Sequence, residues 1–209
     1  MLWALIYWFY PDGSWRYEVT IYVETPEGVK TGSAVHKISN STGLFGFPEA
    51  GNAADIEGEA VAVDLGERGV LFGLISGDLT SAFYKMFPVP GGHGGTTPAG
   101  IRYYRNIETG LTHETTCEGK PGCMQMVMFE DLSDPTSVKT VNPQDLSATF
   151  GVGVSLQKIT YEITDEPATK KVEKYMPAYG DMERFMAWFR SLEYNDLRRF
   201  GPDSFNRGK

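Results

Sequence analysis

From Trp15 to Thr25 apolar and polar positions alternate, with Tyr17, Val19, Ile21 and Val23 on one face and Glu18, Thr20, Tyr22 and Glu24 on the other. A period of two, rich in β-branched and aromatic residues, predicts a half-buried strand. Thr25-Pro26-Glu27-Gly28 then supplies turn chemistry, because proline fixes φ at one position and glycine accepts a positive φ near the end. The chain returns through Val29 to Ile38, and the spacing predicts a long antiparallel hairpin.

Beyond the hairpin, the polar stretch from Ser39 to Ile56 has no period and reads as a loop. Glu59 to Leu65 and Gly69 to Ser76 flank the turn residues Gly66-Glu67-Arg68-Gly69 and predict a second hairpin. Leu79 to Phe87 suits a short helix before Pro88, and Pro90 to Gly100, dense in glycine, reads as a loop. Met124 to Phe129 and Ser155 to Thr164 read as strands, the latter alternating through Ile159, Tyr161 and Ile163. Asp134-Pro135 and Asn142-Pro143 each place a capping residue before a proline, which predicts helix starts and, for the second, a helix over 143–150 closed by Gly151. Near the C-terminus Asp181 caps a predicted helix through about residue 200, with Met182, Phe185, Met186, Phe189 and Leu192 on one face.

These elements predict an α+β fold that is mostly β: antiparallel sheets built from hairpins, short helices and an amphipathic C-terminal helix. No repeat or dividing linker is visible, so residues 14–209 read as a single β-rich domain after an N-terminal hydrophobic segment, 1–13. That segment begins with the apolar and aromatic run Met1 to Tyr10 before Pro11-Asp12-Gly13. As a helix, ten residues span about 15 Å, half of a bilayer core of about 30 Å. It also lacks the basic start and small-residue cleavage site of a signal peptide. Two readings stay open: a shortened membrane anchor, whose Trp3, Tyr7, Trp8 and Tyr10 suit a membrane interface, or a first strand or helix packed on the core.

Composition narrows the function classes. In 209 residues, 41% hydrophobic and 22% charged, there is room for a core that needs no metal or disulfide scaffold. A formal net charge of −8, with Lys170, Lys171 and Lys174 interleaved with Glu173, argues against nucleic acid as a partner. The only cysteines, Cys117 and Cys123, flank a Gly-Lys-Pro-Gly turn that can bring their Cβ atoms together. A disulfide there would close a short loop, stabilise the fold by about 2 kcal/mol and suit an oxidising compartment. Two free thiols in a reducing compartment are the alternative.

Several stretches are familiar together: Val23 to Val35, Gly58 to Gly66, Asp134 to Pro143 and Phe150 to Pro167. In order and spacing they resemble an uncharacterised family of short proteobacterial proteins, many with an N-terminal hydrophobic anchor before the hairpin. The resemblance spans most of residues 15–176 and carries no established activity or catalytic residues. It implies a domain of the cell envelope, on the periplasmic side of the inner membrane or exported, with membrane contact through residues 1–10.

Nucleophile-elbow, phosphate-loop and dinucleotide signatures do not occur in the sequence. His113 and Cys117 have the i,i+4 spacing of a helical zinc motif, but two β-branched threonines between them and the glycine-proline turn beyond oppose a helix. Asp131, Asp134 and Asp145 lack the spacing of a calcium loop, and no metal or other cofactor is expected. His36 reads as a surface or packing residue of its strand. His93, between glycines, is free to approach a ligand.

The leading expectation is a non-catalytic exported or membrane-tethered domain that binds another envelope protein or assembles with itself, through its hairpin edges or its C-terminal aromatic helix. The alternative is a small-molecule or glycan binder, or a hydrolase, with a site at the 90–100 loop lined by His93, Tyr103 and Tyr104.

Overall fold

The computed structural model describes residues 11–42, 54–76, 79–119, 121–175, 182–194, 196 and 198–208. Along them run β1 (Asp12–Glu24), β2 (Lys30–Ser41), β3 (Asp55–Glu59), β4 (Val61–Asp64), β5 (Val70–Gly73), α1 (Leu79–Met86), α2 (Pro98–Arg105), β6 (Thr112–Thr115), β7 (Met126–Phe129), β8 (Val138–Val141), α3 (Ser147–Phe150), β9 (Ser155–Thr164), α4 (Met182–Ser191) and β10 (Asn206–Arg207). The fold is α+β and mostly strand, in two antiparallel sheets. One has six strands in the order β10-β3-β2-β1-β9-β6, the other four in the order β4-β5-β7-β8.

The hairpin of the alternating segment forms the middle of the larger sheet. Thr25 and Gly28 exchange backbone hydrogen bonds of 3.2 and 2.9 Å around Pro26-Glu27, and Gly28 takes the positive φ of 109° that the turn requires. Cross-strand pairs run from Val23 with Lys30 to Asp12 with Ser41. β9 pairs with the other side of β1, setting Tyr161 beside Val19 and Ile159 beside Ile21. Apolar positions at period two therefore stack across neighbouring strands, and Tyr17, Val19, Ile21, Val23, Ile38, Ile159, Tyr161 and Ile163 form one inner face. Arg16, Glu18, Lys37, Glu57, Glu114 and Lys158 lie at the alternate positions, where Lys37 pairs with Glu57 at 3.2 Å and Lys158 with Glu114 at 3.0 Å.

Only Ala60 separates β3 from β4, so the chain passes directly from one sheet to the other. At that corner the sheets come unusually close: a Cβ on Gly32 would lie 2.0 Å from the carbonyl oxygen of Ala62. The main core fills the space between the sheets and under α1 and α2, which contribute Leu79, Phe83, Met86 and Tyr104. Val70, Phe72, Val127, Phe129 and Val138, on the far face of the smaller sheet, form a second cluster with Val172, Phe200 and Phe205. The C-terminal segment is thus a third layer. Phe205 meets Phe72 and Phe129 with ring centroids 6.0 and 5.7 Å apart.

Several expectations change here. The stretch read as a loop from Ser39 to Ile56 holds the end of β2 and the start of β3, and its residues 43–53 lie outside the described residues. Glu59 closes β3 instead of opening the second hairpin, which consists of β4 and β5. The loop expected over 90–100 ends at Thr97, where α2 begins.

Asp134 caps as expected, accepting from the Thr136 N–H, but opens only a 3-10 turn over Pro135–Ser137. Asn142 forms a turn with Gln144, and Asp145 holds the Ala148 N–H, so the helix expected over 143–150 is limited to α3. The C-terminal helix is shorter than its expected span of about 181–200. Beyond Ser191 Arg199 donates to the Leu192 carbonyl at 2.7 Å and Arg198 binds Asp196, turning the chain so that Phe200 enters the second cluster. Phe185 is buried and Trp188 packs on the same cluster, which docks α4 on the body of the protein.

Asp181 and residues 1–10, the anchor or core element of the sequence, lie outside the described residues. Among the described residues no helix is long and apolar enough to cross a membrane.

Candidate functional site

The residues singled out around the glycine-rich loop differ widely in burial. Gly95 lies against the Tyr84 ring, where a Cβ would come within 2.4 Å of it. Thr97 caps α2: its hydroxyl accepts from the Gly100 N–H at 3.1 Å and donates to the Gly94 carbonyl at 2.7 Å. The loop's glycines and threonine therefore have structural work in seating α2. His93 is exposed and Tyr103 half-buried. Tyr104 is buried, stacked on Trp15 at 4.9 Å, and its hydroxyl donates to the Phe87 carbonyl at 2.6 Å. Burial raises that phenol's pKa well above its ordinary value and keeps it neutral.

Cys117 and Cys123 form the disulfide that their spacing allows, with Cα atoms 4.9 Å apart. Cys117 takes a positive φ of 66° just beyond β6, and its carbonyl accepts from Gln144 at 3.3 Å. His113 lies in β6, opposite Tyr161, so the i,i+4 spacing to Cys117 spans extended chain. Asp131, Asp134 and Asp145 each bind hydroxyl and backbone groups two or three residues away.

A buried polar network that the sequence did not announce joins the larger sheet to the segment that follows β9. His36 is fully buried on β2, with Nε2 2.7 Å from the Glu59 carbonyl oxygen and Nδ1 3.3 Å from the Tyr17 hydroxyl. A carbonyl only accepts, so Nε2 carries the proton and Nδ1 accepts from Tyr17. Burial lowers the imidazole pKa to about 4, against the opposing pull of the Glu59 carbonyl and carboxyl. The Glu59 side chain, also buried, accepts through Oε2 from the backbone N–H groups of Lys171 and Val172. Those residues end a strap that leaves β9, crosses β1 and binds Val35 on β2, the Thr169 N–H donating to the Val35 carbonyl at 3.2 Å. Glu59 could not be told from a surface glutamate by its neighbours in sequence, because its partners lie more than a hundred positions away.

A cleft lies at the opposite end of the hairpin from its turn. It has a volume of about 640 Å³, and among the described residues it is lined by Asp12, Gly13, Ser14, Lys37, Ser39, Asn40, Ser41, Asp55 and Arg105. Ser14, Ser39 and Asp55 pair in one row across β1, β2 and β3, and Asp12 pairs with Ser41. Gly13 and Asn40 are cross-strand partners on the inner face, and the Arg105 stem from the end of α2 occupies the place of the missing Gly13 side chain. Arg105 Nη1 donates to the Asp12 carbonyl at 3.4 Å.

Beneath this floor Asn40 is 5% exposed, and neither its amide nitrogen nor its oxygen has a hydrogen-bond partner among the described residues. Trp15 Nε1 and the Tyr84 hydroxyl share that condition. Burial raises the Tyr84 phenol's pKa while the neighbouring Asn40 amide pulls it down. Trp15 and Asn40 are diagonal neighbours on one face, since Trp15 pairs with Ile38. Compared with family models, curated proteins and solved structures, the chain finds no match.

Proposed function

We propose that this chain is a non-catalytic interaction domain of the cell envelope, exported or membrane-tethered, that assembles through the open edge of its larger sheet. The observation that supports this reading is the position of β6. It is the last strand of the six, paired with β9 on one side, and Leu111, which leads into it, is 40% exposed. An edge strand offers unpaired backbone groups as a template for another strand, and two β6 edges meeting across a two-fold axis would continue the sheet from copy to copy. The disulfide immediately after β6 holds the end of that edge and favours an oxidising compartment. Because α4 buries Phe185 and packs Trp188 on the second cluster, the edge is preferred to the helix as the contact surface.

Sedimentation equilibrium tests the reading. The protein is expected to show a mass that rises with concentration, and Leu111→Lys, which sets a charge beside the edge, is expected to return it to monomer. A strict monomer, or an assembly indifferent to Leu111→Lys, would reject it.

A further inference from the structure

We propose that the Cys117–Cys123 bridge is a reversible latch on the β6 edge, opened by a dithiol reductant that attacks the Cys123 sulfur. The bond runs between the two sheets. Cys117 stands two residues beyond the end of β6, an outer strand of the larger sheet, and Cys123 three residues before β7 of the smaller one. The Cys123 side is fastened to the body without the bond: the Gly122 carbonyl accepts from the buried Tyr161 hydroxyl, and the Gln125 carbonyl from the Leu74 N–H at 2.9 Å. The Cys117 side is held more lightly. Its N–H donates to the Thr115 hydroxyl at 3.2 Å, and its carbonyl accepts from the Gly119 N–H at 3.1 Å and from the exposed Gln144 at 3.3 Å. β6 itself is only four residues long and pairs with β9 alone.

Three observations make the bond one that opens in the folded protein. Cys123 is exposed whereas Cys117 is 7% exposed, so a reagent meets the Cys123 sulfur first. The closed loop is short, and closure entropy grows with loop length, so the bond stabilises the whole fold less than a long-range bridge does. Among the described residues Cys117 alone, glycines aside, has a positive φ, a left-handed backbone that a residue with a Cβ adopts at a cost. Exposed or strained bridges are the labile and regulatory ones. In the first step a reductant thiolate bonds to Cys123 Sγ, the bond between the half-cystines breaks, and Cys117 Sγ leaves with the electron pair and takes a proton. The second thiolate of the reductant then displaces Cys123 and closes the reductant's own disulfide, so two electrons pass to the protein and two thiols remain. With the bond cut, the end of β6 frays. That this fraying also dissolves the assembly rests on the reading of β6 as the contact edge.

The test treats the oxidised full chain with increasing dithiothreitol under native conditions and quenches by alkylation. The reduction rate is expected to rise in proportion to the dithiol throughout; a rate that levels off at the unfolding rate would overturn the latch. Brief exposure to glutathione, quenched with acid and mapped by peptide mass, is expected to mark Cys123, and adducts mainly on Cys117 would also overturn it. In the reduced protein and in the double variant Cys117→Ser, Cys123→Ser, the β6 amides are expected to lose hydrogen-exchange protection at least about tenfold beyond the loss at Val19 and Ile21, which report global stability. Equal loss at β6 and in the central strand would mean that the bond acts only on the unfolded chain, and the proposal would fall. In sedimentation, reduction is expected to weaken self-association at least about tenfold and reoxidation to restore it. Association equal in both states overturns the control of assembly. A monomer in both states overturns the reading of β6 as the contact edge, while the exchange and adduct results decide the latch on their own.

Discussion

Glu59 and Val172, 113 residues apart in sequence, are joined by a hydrogen bond from the Val172 N–H to Glu59 Oε2. The same oxygen holds the Lys171 N–H, so one buried side chain secures the point where the strap from the larger sheet reaches the back of the smaller one. Glu59→Ala leaves two backbone donors without their acceptor. A stability loss of about 3 kcal/mol is expected, within the range for buried bonds to a carboxyl group. Hydrogen exchange should locate the damage: the amides of Lys171 and Val172 lose protection first, while those of Val19 and Ile21 in the central strand follow only global unfolding. Equal loss at all four would contradict a local latch.

His36 makes the fold sensitive to acid. Its pKa is lowered to about 4 in the folded protein from an ordinary 6.5. Above pH 6.5 the ring is neutral in both folded and unfolded chains and contributes no pH dependence. Between 6.5 and about 4 the unfolded chain takes up a proton that the folded one refuses. Stability therefore falls with pH through that window, by about 3 kcal/mol in all. Denaturation midpoints measured from pH 7 to 4 check this, and His36→Gln is expected to flatten that part of the curve. A wild-type curve already level over the window would show the ring to be protonated in place.

Gly32 has no room for a side chain. A Cβ there would stand 2.0 Å from the Ala62 carbonyl oxygen and 2.7 Å from its carbon, and both atoms belong to backbone that cannot swing aside. Gly32→Ala is expected to cost about 3 kcal/mol in urea denaturation by forcing the two sheets apart at their corner. Gly28→Ala adds a side chain in open space and strains only φ, with an expected cost of about 1 kcal/mol. A reversed order would mean that the sheets separate readily at that corner.

The Cys117–Cys123 bridge closes a short loop, so its loss is expected to lower stability by about 2 kcal/mol. The double variant Cys117→Ser, Cys123→Ser should match the reduced wild type in guanidinium denaturation. A reduced protein as stable as the oxidised one would show that the turn is ordered without the bond.

The parts of the fold legible in the sequence are those whose information is local. The alternation in β1 and β9 is a repeated choice between two faces, and the Thr25–Gly28 turn carries its dihedral requirements in its own residues. β3 was hidden because it is short and mixes Ile56 with Asp55 and Glu57, leaving too few positions for a period to emerge. α2 was hidden by punctuation: Gly94 and Gly95 suggest an extended loop, yet Thr97-Pro98 is the same cap-and-proline signal that marks Asp134-Pro135.

Phe200 and Phe205 lie outside any periodic element, so their sequence does not distinguish a helix tail from a core layer. The cleft was the least legible feature. Asp12, Ser39, Asp55 and Arg105 come from four separate elements, and only the strand register and the end of α2 bring them together. Around the glycine-rich loop the sequence offers His93, Tyr103 and Tyr104 by position in the chain alone, and Tyr104 is occupied in the core.

The third layer has a consequence for the order of events during synthesis. Ala60 donates its N–H to the Phe205 carbonyl and Ile75 to that of Ser204, both at 2.8 Å, while the Phe205 ring covers Phe72 and Phe129. The smaller sheet is complete in sequence by Val141, but this cover emerges from the ribosome more than sixty residues later. Until then Phe72, Phe129 and Val138 are an uncovered apolar surface on an otherwise finished sheet. A nascent chain of this protein is consequently sticky while the residues between Val141 and Phe205 are being added, and that interval is when a holding chaperone has something to grip.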